Sequence, residues 1–139
     1  MLGHEGAGIA EEIGPDCKYL KKGDRIGWGY LHDTCSHCQK CLSGRENYCP
    51  ERAWYGEADL DQGSFAYGAV WREAFLFKIP DGLSDELAAP LMCGGATVFN
   101  ALHAHDVQPT ETVGVMGVGG LGWCQYSSSS QAPLIMLQN

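Results

Sequence analysis

Basic residues are scarce: nine Lys and Arg stand against 17 Asp and Glu, a formal net charge of −8. Binding a phosphate backbone needs clustered Lys and Arg, so nucleic acid is not an expected partner. A long apolar run is missing too, which leaves no candidate membrane span. The opening Met1-Leu2-Gly3-His4-Glu5 has neither the basic start nor the apolar stretch of a signal peptide, and a cytoplasmic location is the expectation. No internal repeat is visible. The last 28 residues carry no charged side chain, and four consecutive serines occupy 127–130.

What is present fits one ordinary folded domain: 139 residues, 45% of them apolar. Glycine is the unusual residue, 19 in all, about twice its usual share, in short clusters that suggest tight turns. Of the seven cysteines, Cys35, Cys38, Cys41 and Cys49 are bunched, while Cys17, Cys93 and Cys124 are scattered. An odd count with one tight cluster favours metal thiolates over disulfides.

Residues 7–14 and 25–31 are predicted as short strands separated by a turn at Lys22-Gly23-Asp24. The stretch 64–79, with Phe65, Val70, Trp71, Phe75 and Phe77, is predicted as further strands. A helix is expected to start at Ser84, with Asp85 and Glu86 in its first turn, and to be interrupted by Pro90. A second helix is expected over 91–103, with Leu91, Val98, Phe99 and Leu102 near one face. Residues 112–116 form a short strand leading into Gly117.

The run Cys35-Ser-His-Cys38-Gln-Lys-Cys41 followed by Cys49 has the spacing C-x2-C-x2-C-x7-C. A two-residue gap lets both sulfurs of a pair reach one ion, and four thiolates complete the closed tetrahedral shell of a structural zinc site. The charge of such a site would be partly offset by Lys40 and Arg45. An iron–sulfur cluster is the alternative, although the last gap is seven residues where the ferredoxin run has three. His37 lies between two of these cysteines as a competing ligand.

Gly117-Val-Gly119-Gly120-Leu121-Gly122 fits G-x-G-x-x-G directly after a predicted strand. The first two glycines let the backbone turn sharply and approach a pyrophosphate; the third lets a helix pack against its strand. The N–H groups opening that helix then face the phosphates.

GHEGAG (3–8), KKGDRIG (21–27), the cysteine lobe (35–49), PLMCGGATV (90–98) and GVGGLG (117–122) occur in one order. In that order they resemble the medium-chain, zinc-dependent alcohol dehydrogenase family, nearest to its microbial and fungal cinnamyl-alcohol-dehydrogenase-like members. The resemblance implies a fold that is mostly β with some α. A partial GroES-like β-barrel catalytic domain would cover 1–85, with its zinc lobe at 35–50. The start of a Rossmann α/β cofactor domain would follow over 86–122, and an aberrant tail over 123–139. It further implies His4 and Cys93 as catalytic zinc ligands with Glu5 beside them, and a cofactor site at Thr97, Gly117, Gly119, Gly120, Leu121 and Gly122. The implied cofactors are zinc and NAD or NADP. The implied reaction interconverts primary alcohols and aldehydes, in a family that forms homo-oligomers.

Two departures qualify this. Family members supply a further zinc cysteine upstream of the GHE motif, and Cys17 is out of register for that role, so one firmly held zinc per chain is expected. The tail also lacks the acidic residue expected about twenty positions after the glycine turn. It is expected to be foreign to the original reading frame, and the chain to be an incomplete central piece of its family. The alternative to a dehydrogenase is then a non-catalytic zinc-binding fragment; a redox module built on an iron–sulfur cluster is a third reading.

Overall fold

The computed structural model describes residues 2–58, 60–117, 119–122 and 124, and residues 134–137 by backbone alone. The chain divides into two units, Met1–Met92 and Cys93–Asn139.

In the first unit, β1 (Gly6–Ile9), β2 (Arg25–Trp28) and β5 (Phe77–Lys78) form an antiparallel sheet in the order β1-β2-β5. Gly6 lies opposite Trp28 and Ile9 opposite Arg25, while Ile26 faces Lys78. The turn entering β2 closes on itself. Gly23, at φ +91°, donates to the Ala10 carbonyl, and Ala10 donates to that of Asp24. The Asp24 carboxylate accepts from Lys21 N–H at 2.9 Å and from Lys78 Nζ at 2.6 Å. Beneath the sheet, Ala10, Leu20 and Ile26 form a buried cluster with Ile13 and Leu76 against it. A second, two-stranded sheet pairs β3 (Leu31–Asp33) with β4 (Ala53–Trp54), and the cysteine lobe lies between these strands in sequence, with the short helix α1 (Gln39–Leu42) inside it.

Strand 7–14 therefore ends early, at Ile9, and 25–31 divides into β2 and β3. The larger correction concerns 64–79. Only Phe77–Lys78 is strand, and a 3-10 turn occupies Glu73–Phe75. A β-branched and aromatic pattern becomes a strand only when a ladder partner satisfies its backbone. Residues 65–70 have no strand partner among the described residues; Phe65 is 76% exposed and Val70 88%.

Helix α2 (Asp85–Pro90) starts where expected, at Ser84, with two acidic residues in its first turn. The regular α-helix ends at Pro90, as expected, yet the chain stays helical. The proline has no N–H to donate to the Glu86 carbonyl, and the chain widens into a π-turn over Leu91–Gly95 before tightening again as α3 (Ala96–His103). Of the predicted apolar face, Val98 is buried, but Phe99 is exposed and stacks on His103 at 5.5 Å.

The second unit continues from α3 to β6 (Val113–Met116), which pairs in parallel with β7 (Leu134–Leu137), Val113 opposite Leu134. A strand in this tail was not among the sequence expectations.

Candidate metal centre and phosphate-binding turn

The cysteine lobe has almost no apolar core of its own. Leu42 and Tyr48 are exposed, and within it only Cys49 is a buried hydrophobe. Two short turns bring the sulfurs together: α1, which carries Cys41 and is preceded by Cys38, and a 3-10 turn over Glu46–Tyr48 that delivers Cys49. Cys35 Sγ is 3.5 Å from Cys49 Sγ and 3.9 Å from Cys41 Sγ, and Cys38 Sγ is 3.6 Å from Cys41 Sγ. All four sulfurs lie within 4.8 Å of one another. A tetrahedral ion with metal–sulfur bonds of about 2.3 Å has a sulfur–sulfur edge of about 3.8 Å, so the four fit such an ion without rearrangement.

Backbone donors already point at these sulfurs. Cys38 N–H donates to Cys35 Sγ and Glu51 N–H to Cys49 Sγ, both at 3.4 Å, the kind of supporting bond that stabilises thiolate ligands. The N–H of Cys41 holds the Cys38 thiol down to about 7, and backbone N–H groups also lower Cys35. Desolvation, with the neighbouring thiols, pushes Cys41 up to about 11. The lobe is tied to the rest of its unit by Arg52. Its Nη1 donates to the Cys49 carbonyl at 3.2 Å, and its guanidinium lies over the Trp54 ring at 4.4 Å.

His4 and Glu5 are half-buried at the edge of β1. Their segment is pinned where Ser64 N–H donates to the Gly3 carbonyl and Phe65 N–H to that of Leu2. The His4 ring lies 5.4 Å from Tyr55 and 6.5 Å from Tyr30, and Tyr30 meets Trp54 edge-on at 5.7 Å. Tyr30 had no sequence signal; its proximity to His4 depends on β3–β4 pairing. Nearby in sequence, Trp71 packs on Trp28 at 5.7 Å and on His32 at 5.6 Å. Trp28 Nε1, Trp71 Nε1 and His32 Nε2 are buried without a hydrogen-bond partner among the described residues. Such atoms cost about 1–3 kcal/mol each when left unpaired, so this aromatic group favours a polar partner.

In the second unit, Cys93 is half-buried in the π-turn, and Thr97 is exposed in the first turn of α3. The chain leaves β6 at Gly117, in the left-handed region at φ +86°, and residues 120–122 are helical. A Cβ on Gly122 would collide with the Gly117 carbonyl oxygen, whereas one on Gly119 or Gly120 would meet open space. The third glycine is thus required by the fold, and the middle pair leaves backbone accessible. An open cleft of about 530 Å³ runs along the end of β6 and this turn, with Leu121 exposed on its wall. Val118 lies outside the described residues.

Comparison with known proteins places this arrangement. Residues 1–81 match the alcohol dehydrogenase GroES-like domain. The chain is 44% identical over 120 residues to an alcohol dehydrogenase of Geobacillus stearothermophilus, covering 86% of this chain and 35% of that protein. It is 41% identical over 126 residues to a probable cinnamyl alcohol dehydrogenase 1 of rice, covering 86% of this chain and 36% of the relative. Among solved structures, a cinnamyl alcohol dehydrogenase from Helicobacter pylori complexed with NADP(H) superimposes with a TM-score of 0.87 at 27% identity, over 97% of this chain and 41% of that one. This chain thus spans about a third of the length of the curated relatives it matches. With the matched domain, the mixed strand and helix order and these likenesses together, the chain belongs to the alcohol dehydrogenase family, through its GroES-like domain.

Proposed function

We propose that this chain carries the metal and nucleotide elements of a zinc-dependent, NAD- or NADP-linked alcohol dehydrogenase acting between primary alcohols and aldehydes. The observation that carries the reading is the four-sulfur tetrahedron in a chain that also bears a glycine turn opening a helix after a strand. Cys35, Cys38, Cys41 and Cys49 hold a structural zinc that orders a lobe without a core of its own. His4 and Cys93, with Glu5 as an exchangeable third donor, are the ligands of a catalytic zinc. That zinc, when bound, supplies Lewis acidity toward an alcohol or aldehyde oxygen.

The remaining steps fall to the protein's own groups. The open backbone at Gly119 and Gly120 lets a pyrophosphate approach, N–H groups of the helix that follows donate to it, and Leu121 lines the same cleft. Thr97, exposed in the first turn of α3, would pack against a bound nicotinamide. Tyr30 and Tyr55 both lie beside the His4 ring and help to position it. A cytoplasmic location and homo-oligomeric assembly accompany this reading.

Metal analysis tests it. One tightly held zinc per purified chain is expected; a brown protein absorbing in the visible would replace zinc with an iron–sulfur cluster. The 139-residue chain alone is expected to bind nicotinamide weakly and to turn over no aldehyde, because the described parallel pair β6–β7 leaves open strand edges. Aldehyde reduction with NADPH by this chain would discard that second expectation and strengthen the first.

A further inference from the structure

A second ligand set shares one residue with the four-sulfur site. The Cys35 sulfur, a ring nitrogen of His37 and a carboxylate oxygen of Glu51 also lie within 4.8 Å of one another. The two sets differ in access. Cys49 is fully buried and Cys35, Cys38 and Cys41 are half-buried, whereas His37 and Glu51 are exposed. Both residues are held to the lobe. Ser36, in the left-handed region at φ +60°, turns the chain so that His37 Nδ1 sits 2.6 Å from the Cys35 carbonyl oxygen. The Glu51 backbone is anchored by its N–H on the Cys49 sulfur, which keeps its carboxylate near the lobe.

An Nδ1–H donated to a carbonyl leaves the Nε2 lone pair available to a metal. Imidazole, carboxylate and thiolate together make an ordinary zinc ligand set, one member short of a closed shell. A metal arriving from water meets this set before it meets the buried Cys49.

We propose that Cys35, His37 and Glu51 form the loading station of the lobe: zinc binds there first, then passes into the four-sulfur shell with Cys35 as the ligand it never releases. In the transfer the Cys38, Cys41 and Cys49 sulfurs replace His37, Glu51 and the remaining waters. Each thiol gives its proton to solvent as it binds, and no electron moves. The station rests on the lobe being a zinc site.

A route that lowers the barrier does so in both directions. Removing it slows zinc uptake and zinc release by the same factor and leaves the affinity of the final site unchanged. A purely structural role for His37 and Glu51 would instead weaken affinity, chiefly through faster release.

The test uses the full chain stripped of metal, zinc delivered from a chromophoric chelator in stopped flow, and release followed into excess EDTA. H37A and H37A/E51A are compared with the parent, with Q39A as an exposed, uncharged control in the same lobe. On the order of ten-fold slower uptake and release in the double variant is expected, the scale on which one supporting group alters metal binding. Zinc content at equilibrium should stay at the parent value. Unchanged rates in both directions, or unchanged uptake with faster release, would overturn the loading station while leaving the zinc site standing. If the parent chain itself takes up no tight zinc, the lobe assignment fails and the station with it.

Discussion

Arg25 and Asp85 meet across the first unit: the guanidinium donates through Nε at 3.0 Å and Nη2 at 2.6 Å to one carboxylate oxygen of Asp85. The same Nη2 donates to the Leu83 carbonyl at 2.5 Å. One side chain on β2 therefore secures both the start of α2 and the loop before it. The pair is partly exposed, so its charge attraction is screened, and the carbonyl bond is the part that water replaces least well. Arg25→Met should destabilise the chain by about 1.5–3 kcal/mol, the range for hydrogen bonds to a charged group. Urea unfolding followed by tryptophan fluorescence measures it, and Asp85→Asn should cost less because the Leu83 contact survives.

The Glu73 carboxylate accepts from three successive N–H groups, those of Lys18, Tyr19 and Leu20, at 2.7–3.1 Å. These bonds hold its carboxyl below the usual carboxylate range. A carboxyl with a depressed folded pKa contributes stability that is present above its unfolded pKa and lost as pH falls through the folded one. The chain should therefore lose stability with acid below the ordinary Glu range. Glu73→Gln should be less stable at neutral pH and show a flatter acid limb. Parallel stability curves for the two proteins would remove Glu73 from the explanation.

Removal of one sulfur separates the lobe from the rest. Cys41→Ser should lose the tightly held zinc, and protease should then cut within 36–48, since no apolar core remains to hold that segment. EDTA treatment of the parent should reproduce the same cleavage. A lobe that stays protected without metal would show that turns and backbone bonds suffice.

The glycine turn makes a paired prediction. Gly122→Ala drives a Cβ into the Gly117 carbonyl and should cost about 1–3 kcal/mol, as overpacking does. Gly119→Ala meets nothing in the free chain and should leave thermal unfolding close to the parent. Equal losses at both positions would mean that the turn differs from the one described.

The four-sulfur site was legible because its ligands are local. Fifteen residues carry all four cysteines, and the x2 spacings confine the sulfurs whatever the rest of the chain does. Ser84 followed by Asp85 and Glu86 likewise announced the start of α2, a signal contained in one turn, although the Ser84 hydroxyl makes no capping bond. Residues 64–72 misled for the opposite reason: their apolar, β-branched character states a preference, and a strand needs a partner that the preference cannot supply. The interruption at Pro90 was legible, but not its form: the missing N–H is absorbed by a π-turn that leads straight into α3.

By itself, then, the sequence determined the cysteine spacing, the glycine turn and the family they resemble, all of which are properties of short segments. Tertiary structure alone decided that Tyr30 and Tyr55 flank His4, that Arg25 holds Asp85, that Glu73 gathers three amides, and that the tail returns as β7 beside β6. Each of these joins residues distant along the chain. Which distant groups meet depends on the summed burial and pairing of the whole unit, and no local pattern encodes it.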